Sequence, residues 1–178
     1  MNYATIKVND IANGIGVRVS LFVSGCTHRC KGCFNAEAWD FDYGEPFTQQ
    51  TEDYILAALD HDYVDGLSLL GGEPLEPTHQ RALLPFLEKV KSRFPHKTIW
   101  CYTGYLFDDE LLCPDGRAHI EVTDRLLHLL DVVVDGRFEE DKKDIRLRFR
   151  GSSNQRIIDV PASLQTGQIT LKESGDYQ

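Results

Sequence analysis

Cys26-Thr-His-Arg-Cys30-Lys-Gly-Cys33-Phe34 decides how this 178-residue chain is read. Three cysteines fall within eight residues, with three residues in the first gap and two in the second. Thiolates are soft ligands that suit iron–sulfur clusters or zinc. A cluster that only carries electrons normally takes four cysteines. Three thiols hold three corners of a cube and leave one iron open to a small molecule, which points to chemistry and not only to storage of charge.

Zinc is the competing reading. A closed structural zinc site needs a fourth protein ligand. His28 lies inside the loop, and Cys101 or Cys113 could arrive from elsewhere. No second Cys-x-x-Cys or His pair exists to complete such a site, so the cluster is preferred. His28 alone is read as filling the loop, Cys101 as a core residue, and Cys113 has no evident partner. An odd total of five cysteines, three of them bunched, fits a disulfide framework poorly.

The loop follows Val17-Arg-Val-Ser-Leu-Phe-Val23, rich in β-branched residues, which reads as a strand closed by Ser24-Gly25. Before it lie a short strand, Ala4 to Val8, and glycine turns at 14 and 16. After it, Trp39 to Phe47 is a connector, and Thr48 caps a helix running to about Asp60. Leu67 to Leu70 is a strand that runs into Gly71-Gly72-Glu73-Pro74. A helix from Thr78 carries apolar residues at helical spacing through Phe94, with a kink or late start expected at Pro85.

Thr98 to Tyr102 and Asp131 to Asp135 are two more strands, each closed by glycine. Between them lie one or two short helices, the second starting near Thr123. Ile145-Arg-Leu-Arg-Phe-Arg150 alternates strictly and predicts a strand with an exposed arginine face. Gly151 to Gln155 is a polar turn, Arg156 to Val160 a last strand, and the tail beyond about 160 is expected to be loose at its end. The alternation of strands and helices gives an α/β fold with a mainly parallel sheet. Too few strands are present for a closed eight-stranded barrel, so an open, partial β/α barrel is expected, as a single domain over 1–178.

Hydrophobic content of 42% and charged content of 26% are ordinary for a globular protein. A net charge of -9 argues against nucleic acid or an anionic membrane as a partner. No basic n-region and apolar h-region open the chain, and no stretch approaches the roughly 20 apolar residues of a membrane span. A cytoplasmic location follows by default. With no Walker loop, Gly-x-Ser-x-Gly elbow or His-Glu-x-x-His, hydrolase and kinase readings have no support.

Gly71-Gly72-Glu73 should face the same mouth as the cysteines, at the carboxyl ends of neighbouring strands. Without side chains, its backbone can approach a ligand and offer acceptors to an ammonium group. Glu73 could contribute or be solvated. Phe34 could pack on a flat base or shield the cluster. Asp135 and Arg137 could hold a ligand or form an ion pair, and the arginines of 146–150 could dock an acidic partner segment.

The Cys-x-x-x-Cys-x-x-Cys-aromatic loop followed by Gly71-Gly72-Glu73 resembles the radical S-adenosylmethionine superfamily. Asn13-Gly-x-Gly, Phe22-Val-Ser-Gly-Cys26, Trp100-x-Tyr-Thr-Gly-Tyr105, Val134-Asp-Gly-Arg-Phe138 and Arg150-Gly-Ser-Ser-Asn-Gln155 narrow it. They resemble the family that activates anaerobic ribonucleoside-triphosphate reductase. That resemblance implies a [4Fe-4S] cluster on Cys26, Cys30 and Cys33. It implies S-adenosylmethionine lined by Gly32, Cys33, Phe34, Gly71 and Gly72, with Glu73 a weaker member. It also implies reductive cleavage of that cofactor, generation of a glycyl radical on the reductase large subunit, and an electron-donor protein. No catalytic side chain beyond the cluster ligands is implied. Two alternatives stand beside it: an activase of another glycyl-radical enzyme or a different radical enzyme of the superfamily, and a non-catalytic zinc-stabilised binding module.

Overall fold

The computed structural model describes residues 1–172. Seven strands form one sheet: β1 Asn2–Asp10, β2 Arg18–Val23, β3 Glu45–Pro46, β4 Gly66–Gly71, β5 Thr98–Tyr102, β6 Val132–Asp135 and β7 Arg156–Asp159. Their spatial order is β3-β1-β2-β4-β5-β6-β7. The centre, from β2 to β6, is parallel throughout. β1, β3 and β7 join antiparallel at the two edges. The sheet is mixed, mostly parallel and open, as the strand count requires.

Period-two alternation gives the central strands two different faces. Val19, Leu21, Val23, Leu67, Leu69, Ile99, Cys101 and Val133 belong to the large core that the helices cover. The helices are α1 Gln49–Leu59, α2 Pro77–Arg93, α3 Thr123–Leu127 and α4 Val160–Thr166. Ile55, Leu59, Leu83, Phe86, Leu87, Leu126 and Leu127 supply their side of that core. Full burial of one such side chain contributes about 1.5–3 kcal/mol, so this layer fixes which face of each strand turns inward. The opposite face carries Trp100, Val132, Val134 and Ile157, joined by Tyr102 and Phe149. It also holds Arg18, fully buried, whose guanidinium donates to the Ser68 hydroxyl and to the carbonyls of Leu67 and Thr98.

Several sequence expectations need correction. The alternating stretch 145–150 is a series of turns, not a strand. Phe149 sits at φ 57, a left-handed conformation that no strand adopts, and its ring packs edge-on against Trp100 at 5.3 Å. α2 starts at Pro77 and continues through Pro85 without a late start; its N-cap is Glu76, not Thr78. The tail, expected to be loose at its end, begins beyond 160 in α4. Pro161 occupies the first turn of α4, Asp159 caps that helix by accepting from the Ala162 N–H at 3.0 Å, and Leu171 bridges back to Ile158. For 173–178 that expectation lies outside the described residues. The region 106–130 holds a π-helical turn, Phe107–Leu112, and α3 from Thr123.

Candidate functional site

The carboxyl ends of β2, β4, β5 and β6 open onto one cavity of about 520 Å³. Backbone hydrogen bonds bring its loops together. Gly72 N–H donates to Val23 C=O at 2.7 Å, and Glu73 N–H donates to Gly25 C=O at 2.8 Å. These bonds continue the β2–β4 pairing past the ends of the strands. Gly72 has to be glycine there, because a Cβ would lie 2.5 Å from the Gly25 carbonyl oxygen. On the other side, Gly25 and Cys26 donate to the carbonyls of Ala38 and Trp39, at 2.8 and 3.1 Å. The short 3-10 turn Ala36–Trp39 therefore closes the far end of the cysteine loop.

Cys26, Cys30 and Cys33 all line this cavity, together with Phe34, Gly71, Gly72 and Glu73. Of the residues assigned by sequence, only Gly32 is not on its wall. Gly32 lies between Lys31 and Cys33 at φ 72, where it turns the loop. Cys26 is buried, and Cys30 and Cys33 are half-exposed. Burial pushes the Cys26 thiol up to about 11, with the nearby Glu73 charge adding to the effect. Cys30 is raised for the same first reason. Cys33 Sγ accepts the Asn35 N–H at 3.4 Å, and its own N–H donates to Cys30 C=O at 3.2 Å. Phe34 is 66% exposed, with its ring edge-on to Phe138 at 5.4 Å and the Lys143 ammonium 4.8 Å above it.

Glu73 is on the wall but its carboxylate faces protein. It is 1% exposed and accepts from Leu75 N–H, the Thr103 hydroxyl and Gly104 N–H, at 2.8, 2.8 and 2.7 Å. Asp135 is also structural: fully buried, it accepts from Phe107 N–H at 2.8 Å and pairs with Arg156, not with Arg137. Arg137 lies 3.9 Å from Glu110. The Arg146 guanidinium makes two bonds to Asp144 and the Arg146 backbone N–H a third, which hold that carboxyl down at about 2. Cys101 is fully buried on the helix side of β5, and Cys113 is exposed; neither lines the cavity.

Sequence reasoning missed several wall residues, among them Trp39, Phe138, Phe149 and Gln155. The run Arg150 to Gln155 was the available signal. Gln155 folds it by accepting from Gly151 N–H and donating to Gly136 C=O, at 2.8 and 2.9 Å. The buried indole Nε1 of Trp39 has no hydrogen-bond partner among the described residues. Such an orphaned donor is costly unless an acceptor meets it.

The donor set can be tested against the group it implies. Three thiols on one wall, with an N–H to one sulfur, are the donor chemistry of an iron–sulfur cluster. Among the described residues, no three His, Cys, Asp or Glu side chains converge as a single metal ion would need. The residues present fit a three-cysteine cluster beside a small polar ligand.

Comparison with known proteins agrees. The family model described as a 4Fe-4S single cluster domain matches residues 12–158. An anaerobic ribonucleoside-triphosphate reductase-activating protein of Pasteurella multocida is 43% identical, covering 88% of this chain and 96% of its own length. Proteins of the same description from Escherichia coli K12 and from Enterobacteria phage T4 are 41% and 40% identical, each over 88% of this chain. The match covers 97% and 93% of their lengths.

Proposed function

The chain belongs to the family of anaerobic ribonucleoside-triphosphate reductase-activating proteins, and on that premise we propose how its own residues perform the activation. The protein is a radical S-adenosylmethionine enzyme with a [4Fe-4S] cluster, and the reductase is its partner. A [4Fe-4S] cluster bound there would supply the electron for reductive cleavage of the S–C5′ bond of S-adenosylmethionine, the chemistry that enables hydrogen abstraction from a glycine of the reductase.

Cys26, Cys30 and Cys33 hold the cluster, and each must give up a proton to do so. Gly71 and Gly72 bring their backbone beside it, where carbonyls can accept from the ligand's amine. Gly32 lets the loop turn back between Lys31 and Cys33, and Phe34 covers the exposed rim. Glu73 lines the site, and Phe22 and Leu70 give its wall an apolar surface. The supporting observation is the meeting of three thiols and the glycine pair on one cavity at the carboxyl ends of parallel strands, where sites of α/β sheets are built.

An electron-donor protein is the second partner and reaches the cluster from the side of Cys30 and Cys33, the less buried thiols. We place the enzyme in the cytoplasm. Free thiols suit a reducing compartment, and among the described residues no helix is long and apolar enough to cross a membrane. Cluster-loaded protein given reductant and S-adenosylmethionine without oxygen is expected to release 5′-deoxyadenosine and methionine, with a glycyl radical appearing when the reductase is present. Absence of all three would reject the function.

A further inference from the structure

Two buried carboxylates follow the glycine pair, and neither needs to touch a ligand. Glu73 is 1% exposed and Glu76 is 5% exposed. Both are bound to the short span between Cys26 and Cys30. Glu76 Oε1 accepts from the Thr27 N–H at 2.7 Å and from its hydroxyl at 2.6 Å. The Tyr105 hydroxyl donates to Glu76 Oε2 at 3.2 Å. Glu73 Oε2 meets His28 Nε2 at 2.9 Å, beside the three donors already described.

The tautomer of His28 follows from its other neighbour. The Arg117 guanidinium lies 3.2 Å from His28 Nδ1. A guanidinium can only donate, so Nδ1 accepts and Nε2 carries the hydrogen that Glu73 accepts. Both ring nitrogens are thereby engaged, and neither is available as a fourth ligand to a cluster. The ring is held in place as well. It lies 4.4 Å from the Tyr105 ring, and a Cβ on Gly104 would come within 2.6 Å of its Cδ2.

We propose that His28 is a positioning residue, fastening the span between Cys26 and Cys30 onto the turn that carries Gly71 and Gly72. With Thr27 on Glu76 as the second attachment, the thiols and the glycine backbone keep one fixed spacing. Cluster and ligand then meet at a set distance, with Arg117 holding the imidazole in the tautomer that Glu73 requires. Glu73 serves this site through the loop it anchors. The inference rests on the radical reading of the same site.

The test compares wild type, His28→Ala, His28→Gln and Thr27→Val, each loaded with iron and sulfide without oxygen. Iron per chain is measured, then the Kd for S-adenosylmethionine is read from the change it makes in the paramagnetic resonance of the reduced cluster. Melting temperature reports the fold. Residues that orient metal ligands typically change affinity about 10–100-fold. His28→Ala is expected to keep its fold and to lose iron or weaken the Kd at least about tenfold. His28→Gln, whose amide N–H can still donate to Glu73, should recover most of the loss. Wild-type iron and Kd in His28→Ala, or a Gln variant no better than Ala, would overturn the proposal. If His28→Ala does not fold, Thr27→Val decides: a weaker Kd supports the attachment, and wild-type values overturn it. A wild-type protein with no response to S-adenosylmethionine would instead sink the radical reading beneath it.

Discussion

Cys26 and Cys101 carry the same side chain to opposite ends. Cys101 lies mid-strand on the helix side of β5, fully buried, where burial pushes its thiol well above the ordinary range. It behaves as a small apolar residue. Cys26 lies just past the end of β2, on the cavity wall, and the proposed role as an iron ligand would cost it its proton. Replacing Cys26, Cys30 or Cys33 singly with alanine is therefore expected to remove most bound iron and the visible absorption of the cluster. Cys101→Ala and Cys113→Ala should retain both. Iron analysis with visible spectra on anaerobically purified variants checks this; a cluster lost with Cys113 and kept without Cys30 would contradict the assignment. At this scale the grouping of the three thiols was legible, because their spacing is carried by the chain itself, and they do share one cavity. The engagement of His28 was not, since Glu73 and Arg117 lie 45 and 89 residues away in sequence.

At the scale of elements, the loops at the strand ends are held by buried polar groups. Asp135, at the end of β6, is fully buried between the Phe107 N–H and Arg156, which also binds Asp108. Removing one partner of such a pair leaves an uncompensated buried charge, at about 3–5 kcal/mol. Arg156→Met should lose about that much stability in urea; a loss under about 1 kcal/mol, the size of an exposed pair, would show the pair to be superficial. His79 on α2 is buried, and its Nδ1 meets the Glu73 carbonyl at 2.7 Å. Burial lowers its pKa below the ordinary 6.5, and the hydrogen bond to that carbonyl only partly offsets this. The unfolded chain thus binds the proton first. The contribution of His79 is whole above 6.5 and is lost as pH falls through its lower folded value. The urea midpoint should fall between pH 7.5 and 5.5, and fall less in His79→Gln; equal slopes would contradict it.

The four parallel strands were legible because each is a β-branched or apolar run closed by glycine. The stretch 145–150 was misread because arginine and apolar residues alternate there without a neighbouring strand to pair with. Leu147 and Phe149 instead turn onto the cavity wall. Pro85 was read as a kink or a late start, and α2 starts before it, at Pro77, and runs through it.

For the whole molecule, one half of the sheet is sealed by helices and the other half is lined by the site. Strands β2, β4, β5 and β6 make the parallel wall, and β1 with β3 on one side and β7 on the other extend it antiparallel to two open edges. A partial barrel of this kind leaves a side open to a macromolecule while the cysteine loop stays at its mouth. That division suits an enzyme whose substrate is a glycine inside another protein. The account stands on three thiols holding a cluster with one iron left for S-adenosylmethionine. The most direct measurement is paramagnetic resonance of the reduced, cluster-loaded protein before and after adding that cofactor, with isotopic labels on its amine and carboxylate. The account predicts a cluster signal whose shape changes on addition, with coupling to the labels. An unchanged spectrum, with a fourth protein side chain coupled to the cluster, would contradict it.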